Sequence, residues 1–95
     1  MTNYEVLFIL DPILEEEKKE AAVEIVKGII ETEGTIGKVD VWGIRKLAYP
    51  IRKKQDGYYV LIEFSANETL PKELDRRMKI SDDIMRHLIV NKDEK

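Results

Sequence analysis

Apolar and polar residues alternate from Asn3 to Leu10. Tyr4, Val6, Phe8 and Leu10 share one side of an extended chain, while Asn3, Glu5, Leu7 and Ile9 share the other. This predicts a strand with one fully apolar face and one mixed face, ended by Asp11-Pro12. From Glu15 to Glu33 the period changes. Ala22, Val26, Ile29 and Ile30 recur at helical spacing, and Val23 and Ile25 widen the stripe. Glu15, Glu16 and Glu17 fall in the first turn, where the helix dipole favours negative charge, and Gly34 is placed to stop the helix. The chain is extended again from Thr35 to Ile51, with its apolar residues breaking phase and Gly43 marking a bulge. Pro50 cannot donate a ladder hydrogen bond, which predicts a sheet edge. A turn over Lys53 to Gly57, signalled by Asp56-Gly57, leads into the clearest strand, Tyr58 to Phe64. Thr69 to Lys79 is a shorter helix with Thr69 as candidate cap, Pro71 in the first turn and Leu70, Leu74 and Met78 as its apolar line. Ile84 to Val90 is a last strand, followed by a short charged tail, Asn91 to Lys95.

The order strand, helix, strand, strand, helix, strand predicts an α+β, ferredoxin-like βαββαβ fold, a four-stranded antiparallel sheet with both helices on one face. In that arrangement the first and third strands are central, and these are the most apolar. The Pro-bearing second strand falls at an edge. Tyr4, Val6, Phe8, Val60, Ile62 and Phe64 then pack under the helices with Val26 and Ile30. Leu7, Ile9, Tyr59 and Leu61 lie on the uncovered face, with Glu5 and Glu63 among them. The phase of the last strand stays open: Arg86, Leu88 and Val90 share one face, His87, Ile89 and Asn91 the other.

A length of 95 residues suits a single domain spanning 1–95. With no cysteine there is no disulfide framework and no thiolate site. No apolar stretch is long enough to span a bilayer, and the N-terminus lacks an apolar signal core, so a cytoplasmic protein is expected. The net charge of −3 argues against a nucleic-acid partner when taken alone. Its distribution changes the picture. Between Gly43 and Gln55 stand Arg45, Lys46, Arg52, Lys53 and Lys54 with no acid, whereas most of the acid excess lies in the first helix.

Arrangements for catalysis are missing. His87 is alone in a predicted strand, where packing is the ordinary role of a histidine. Ser65 and Ser81 carry no nucleophile-elbow motif, and Gly28, Gly34 and Gly37 lack the spacing of a phosphate loop. Asp82-Asp83 is too small a cluster for a metal and suits a turn. No catalytic residue, metal or cofactor is expected. The segment from Gly43 to Lys54 differs, because it interleaves cations with apolar and aromatic residues along an extended chain. Alternate side chains can bury while Arg and Lys reach phosphates or carboxylates. Charge on an edge strand also blocks unwanted pairing, and the two roles are compatible. On the uncovered face Tyr59 is the one good base stacker and aliphatics dominate, which favours a protein partner over much of it.

Gly43-Ile44-Arg45-Lys46-Leu47-Ala48-Tyr49-Pro50-Ile51 resembles the signature of a bacterial family, the sixth protein of the small ribosomal subunit. Tyr4-Glu5-Val6, Asp11-Pro12, Gly57-Tyr58-Tyr59 and Asp82-Asp83-Ile84-Met85-Arg86 are similar to that family in order and spacing, so the resemblance covers the whole chain. It implies a ferredoxin-like fold and a structural, non-enzymatic role. It also implies binding to the central domain of small-subunit ribosomal RNA as a heterodimer with the eighteenth small-subunit protein. Arg45, Lys46 and Tyr49 match the signature, and Arg86 matches a recurrent arginine before the last strand. The RNA- or partner-binding set expected is Arg45, Lys46, Tyr49, Arg52, Lys53, Lys54, Tyr59 and Arg86. The resemblance favours Ile89 inward. The chain departs from the family at Asn3, where some relatives are basic, and it stops at Lys95 where some carry a long tail, so no tail function is expected.

Two other classes share this element order. A small-molecule-binding regulatory domain would normally be fused to an enzyme. A small acyl-phosphate hydrolase would need a phosphate-cradling loop with an arginine after the first strand, where this chain has Asp11-Pro12-Ile13-Leu14-Glu15-Glu16, which repels phosphate.

Overall fold

The computed structural model describes residues 1–93. Six elements follow in order: β1 (Thr2–Leu10), α1 (Glu16–Glu31), β2 (Gly34–Ile51), β3 (Lys54–Ala66), α2 (Leu70–Lys79) and β4 (Ile84–Asn91). The strands form one antiparallel sheet in the order β2-β3-β1-β4, so β1 and β3 are central and Pro50 is on an edge strand. Both helices close over one face. Tyr4, Val6, Phe8 and Leu10 from β1 meet Val60, Ile62, Phe64 and Ala66 from β3 beneath Ala22, Val26, Ile29 and Ile30 of α1 and Leu70, Leu74 and Met78 of α2. This is the ferredoxin-like arrangement expected from the alternation.

The register settles the last strand. Phe8 stands opposite His87 and Val6 opposite Ile89, so both face the helices, while Leu7 stands opposite Leu88 on the open face. A register shift between Ile9 and Leu10 lets Ile84 turn inward as well.

Local expectations are corrected at four places. Ile25 does not widen the buried stripe of α1: next to Val26 it is rotated outward, and it is 61% exposed. Gly34 is not a left-handed helix stop. It opens β2, and a Cβ there would come within 2.6 Å of the Ser65 carbonyl oxygen, so its role is close approach to β3. Thr69 makes no side-chain cap. Asn67 Oδ1 instead accepts from the backbone N–H groups of Thr69 (3.1 Å) and Leu70 (3.0 Å). Finally, the β2–β3 turn is Arg52-Lys53, flanked by the Ile51–Lys54 pair, with φ of 51° and 64°. Asp56 and Gly57 already belong to β3, opposite Lys46 and Arg45. Beyond β4, the Lys92 N–H donates to the Asn3 carbonyl (2.8 Å) and the Asp93 carboxylate accepts from the Asn3 N–H (2.9 Å), so the start of the charged tail runs along β1. The tail's residues 94–95 lie outside the described residues.

Candidate RNA and partner interface

β2 is long enough to leave its own ladder. It pairs with β3 from Gly34 to Lys46, and the register then shifts before Ile51. Leu47, Ala48, Tyr49 and Pro50 have no counterparts in β3, and Pro50 has no N–H to offer one. This stretch folds across the open face toward β4. Leu47 is buried there, and it covers Ile9, which is only 8% exposed. The expected fully uncovered face is therefore corrected: Ile9 lies under the hairpin, and Leu7, Tyr59 and Leu61 are half-buried. Gly57 makes the crossing fit, since a Cβ there would stand 2.3 Å from Ile9 Cγ2 and 3.1 Å from Leu47 Cδ2.

An apolar cleft of about 280 Å³ remains between the crossing strand and the sheet, walled by Leu7, Ile9, Leu47, Tyr59 and Leu88. Tyr49 and Arg86 close one side of it, with the Arg86 guanidinium carbon 5.3 Å from the Tyr49 ring centroid, a cation–π contact that joins two of the predicted site residues. Leu88, 59% exposed, continues the apolar surface onto β4.

The cations sort into two groups. Arg52 Nη1 donates to the Asp82 carbonyl oxygen at 3.1 Å, tying the hairpin tip to the start of β4, and Lys54 Nζ pairs with Asp11 Oδ1 at 3.5 Å. Those two hold the fold. Arg45, Lys46 and Lys53 are exposed; Lys53 is at the turn, Arg45 and Lys46 on the edge. A run free of acid in sequence is thus not free of acid in space, because Asp11 meets Lys54 and Asp56 stands opposite Lys46.

Trp42 is the residue that the sequence reading missed. The register shift between Val41 and Gly43, with Gly43 at φ +82°, makes it the extra residue of a bulge. Its ring stacks on Tyr59, with centroids 6.0 Å apart and planes 10° from parallel. Arg45 stands over it at 5.6 Å, and its indole Nε1 donates to Asp40 Oδ2 at 3.2 Å. The available signal was the sole tryptophan of the chain directly before the bulge glycine.

The chemistry of this face is that of binding. His87 Nε2 lies 2.6 Å from Asp75 Oδ1 and ties β4 to α2, a packing role. That contact, with Lys79 beside it, holds the Asp75 carboxyl below the usual carboxylate range. No group of three or more His, Cys, Asp or Glu side chains is placed to hold a metal among the described residues. No helix of the described residues is long and apolar enough to cross a membrane.

Comparison with known proteins agrees with this geometry. The family profile of ribosomal protein S6 matches residues 3–91. The chain is 56% identical over 92 residues to small ribosomal subunit protein bS6 of Clostridium novyi, covering 96% of this chain and 97% of that protein. It is 57% identical to bS6 of Clostridium kluyveri, covering 100% of both. Among solved structures, the 30S ribosomal protein S6 of Thermotoga maritima superposes with a TM-score of 0.91 at 36% identity, over 96% of this chain and 87% of that one. These relatives are named as ribosomal components, not as enzymes. With its fold and its whole-chain similarity in agreement, this chain belongs to the ribosomal protein S6 family of the small ribosomal subunit.

Proposed function

We propose that this protein is one cytoplasmic RNA-binding domain, residues 1–95, that holds the central domain of small-subunit ribosomal RNA together with the eighteenth small-subunit protein and so supports subunit assembly. The observation that carries this reading is the division of the crossed hairpin into an apolar cleft and an adjoining pair of exposed cations. The cleft, bounded by Leu7, Leu47, Tyr59 and Leu88 with Arg86 at one side, suits side chains of a folded protein partner. Arg45 and Lys46 at the edge, with Lys53 at the tip, suit phosphates. Tyr49 belongs to both, through its contact with Arg86. Arg52 and Lys54 serve by fixing the hairpin that presents the others.

The test is assembly of the RNA–protein complex over a salt series with Arg45 and Lys46 replaced by Ala. For every phosphate that these two cations neutralise in the parent, the log–log slope of affinity against salt should flatten by about 0.7–0.9. A double variant with the parent's slope and affinity would move the RNA interface elsewhere. The ligand-sensing alternative predicts a small molecule in the 280 Å³ cleft. A melting shift with metabolites but none with the ribosomal partners would favour it.

A further inference from the structure

Trp42 and Tyr59 together form a platform, and the proposed function leaves Trp42 unused, with Tyr59 serving there only as a wall of the cleft. Both residues come from the strands at the basic edge. The bulge at Gly43 lets Trp42 lean over the sheet instead of alternating away from it, and the ring lies nearly parallel to Tyr59. The hydrogen bond from the indole to Asp40 fixes its rotation about the strand. An indole held this way loses little conformational freedom when another flat ring covers it. It is still 38% exposed. The nearest cation to its ring is Arg45, followed along the strand by Lys46, neither of them in an ion pair among the described residues. The one acid in contact, Asp40, is at the indole nitrogen, on the ring's edge. Tyr59 backs one face of the ring, and Arg45, which stands over the ring, is the side chain that an incoming base would shift toward its own phosphate.

We infer that Trp42, backed by Tyr59, is a stacking site for one unpaired nucleobase of an RNA strand, with Arg45 reaching the phosphate beside that base. The inference rests on the RNA-binding reading above and sharpens it from phosphate contacts to a base contact. A flat π-ligand attached to a negative charge matches what the platform offers: an aromatic face, an adjacent guanidinium and no carboxylate over the ring. An aliphatic protein side chain would use the face but leave Arg45 and Lys46 without a partner. Stacking reads no hydrogen-bond pattern, so the site accepts any base, provided it is out of a duplex.

Trp42 is the chain's only tryptophan, so its fluorescence reports on this site alone. The full chain at low ionic strength is titrated with a short unpaired oligoribonucleotide, with the same sequence in a blunt duplex, and with a basic, aliphatic-rich peptide. The expected result is saturable quenching by the single strand and little change with the duplex. Trp42→Phe should retain most of the affinity for the strand, measured by anisotropy of a labelled oligonucleotide, and Trp42→Ala should lose roughly tenfold. Equal quenching by duplex and single strand would reduce the effect to nearby charge and overturn the stacking site. Quenching by the peptide alone would assign the platform to a protein. If Trp42→Ala leaves oligonucleotide affinity unchanged while Arg45→Ala weakens it, the base site fails and the RNA reading stands; if neither variant matters, the RNA reading fails at this edge as well.

Discussion

Gly57 has a neighbour so close that the residue type is forced. Any Cβ at that position would stand 2.3 Å from Ile9 Cγ2, and Ile9 is itself buried under Leu47 with nowhere to retreat. Gly57→Ala should therefore overpack the crossing of β2 over the sheet and destabilise the fold by about 1–3 kcal/mol, visible as a lower melting temperature. A variant as stable as the parent would mean the hairpin is free to lift from Ile9. Acid-side behaviour is also decided residue by residue. Asp75 is held below the usual carboxylate range, first by His87 and then by Lys79, Glu73 by Arg76, and Glu63 by Lys92. A depressed carboxyl adds stability that is present above its unfolded pKa, about 4, and is lost as pH falls through the lower folded value. Melting temperature should hold between neutral pH and pH ~5, then drop below pH ~4, and Asp75→Asn should make that drop shallower. An acid limb identical in parent and variant would remove Asp75 from the account. Single residues were also where the sequence was hardest to read. Asp56-Gly57 carries the composition of a tight turn, yet the glycine answers a contact with Ile9, forty-eight positions away, that no local pattern contains.

At the scale of elements, alternation and helical spacing sufficed where an element had one buried side. β1, β3 and the apolar line of α2 were legible because every second residue, or every third and fourth, is apolar on the face that the structure buries. β2 was legible only as an edge, through Pro50 and Gly43, because its apolar residues serve three different surfaces: the ladder, the stack at Trp42 and the crossing at Leu47. The cleft followed from that crossing, so of the predicted site the cations were readable and the cavity was not. The β2–β3 turn bears a trace of this. Two positive φ values match the hairpin turn that suits the twist of paired strands, but Asn-Gly is the favoured sequence and this chain uses Arg52-Lys53. Arg52 has a reason, its bonds to the carbonyls of Asp82 and Ile84. Lys53 is exposed and has no bond within the described residues that needs its side chain. Lys53→Gly should relieve a left-handed residue and stabilise the hairpin by about 1 kcal/mol. Arg52→Gly should instead destabilise it, because the tie to β4 disappears with the strain. Thermal melting of the two variants separates these outcomes, and a loss of stability in Lys53→Gly would show that the lysine is held by something more than its turn.

Across the whole molecule, the acid-rich helix α1 and the basic hairpin lie on opposite sides of the sheet, with the cations Arg76, Arg77 and Lys79 of α2 beside α1. Glu16, Glu17, Glu20, Glu24 and Glu31 are exposed on α1, which covers one face. That field reaches inward to Tyr58, whose hydroxyl is pushed up by burial first and then by Glu16 and Glu20. Arg45, Lys46 and Lys53 belong to the hairpin that folds over the other face. At physiological salt, charges further apart than about 8 Å are largely screened, so the hairpin cations act at contact regardless of α1. Approach from a distance is governed instead by the sum, −3, which gives no attraction to RNA and so no enhanced association rate. The free chain should accordingly bind central-domain RNA weakly. A basic partner seated in the cleft would add positive charge beside Arg86 and the hairpin and bury Leu7 and Leu88, converting a short cationic edge into a continuous cationic surface. The measurement is a titration of labelled central-domain RNA with this chain alone, with the eighteenth small-subunit protein alone and with both, at two ionic strengths. The pair should bind more tightly than either member, with a steeper salt dependence than this chain alone. A Leu88→Glu substitution, which puts a negative charge on the apolar side of the cleft without touching a cation of the hairpin, should abolish the gain from the partner and leave the weak binding of the lone chain as it was. Tight, specific binding by the lone chain at physiological salt would show that the basic hairpin is sufficient and that the cleft serves some other purpose.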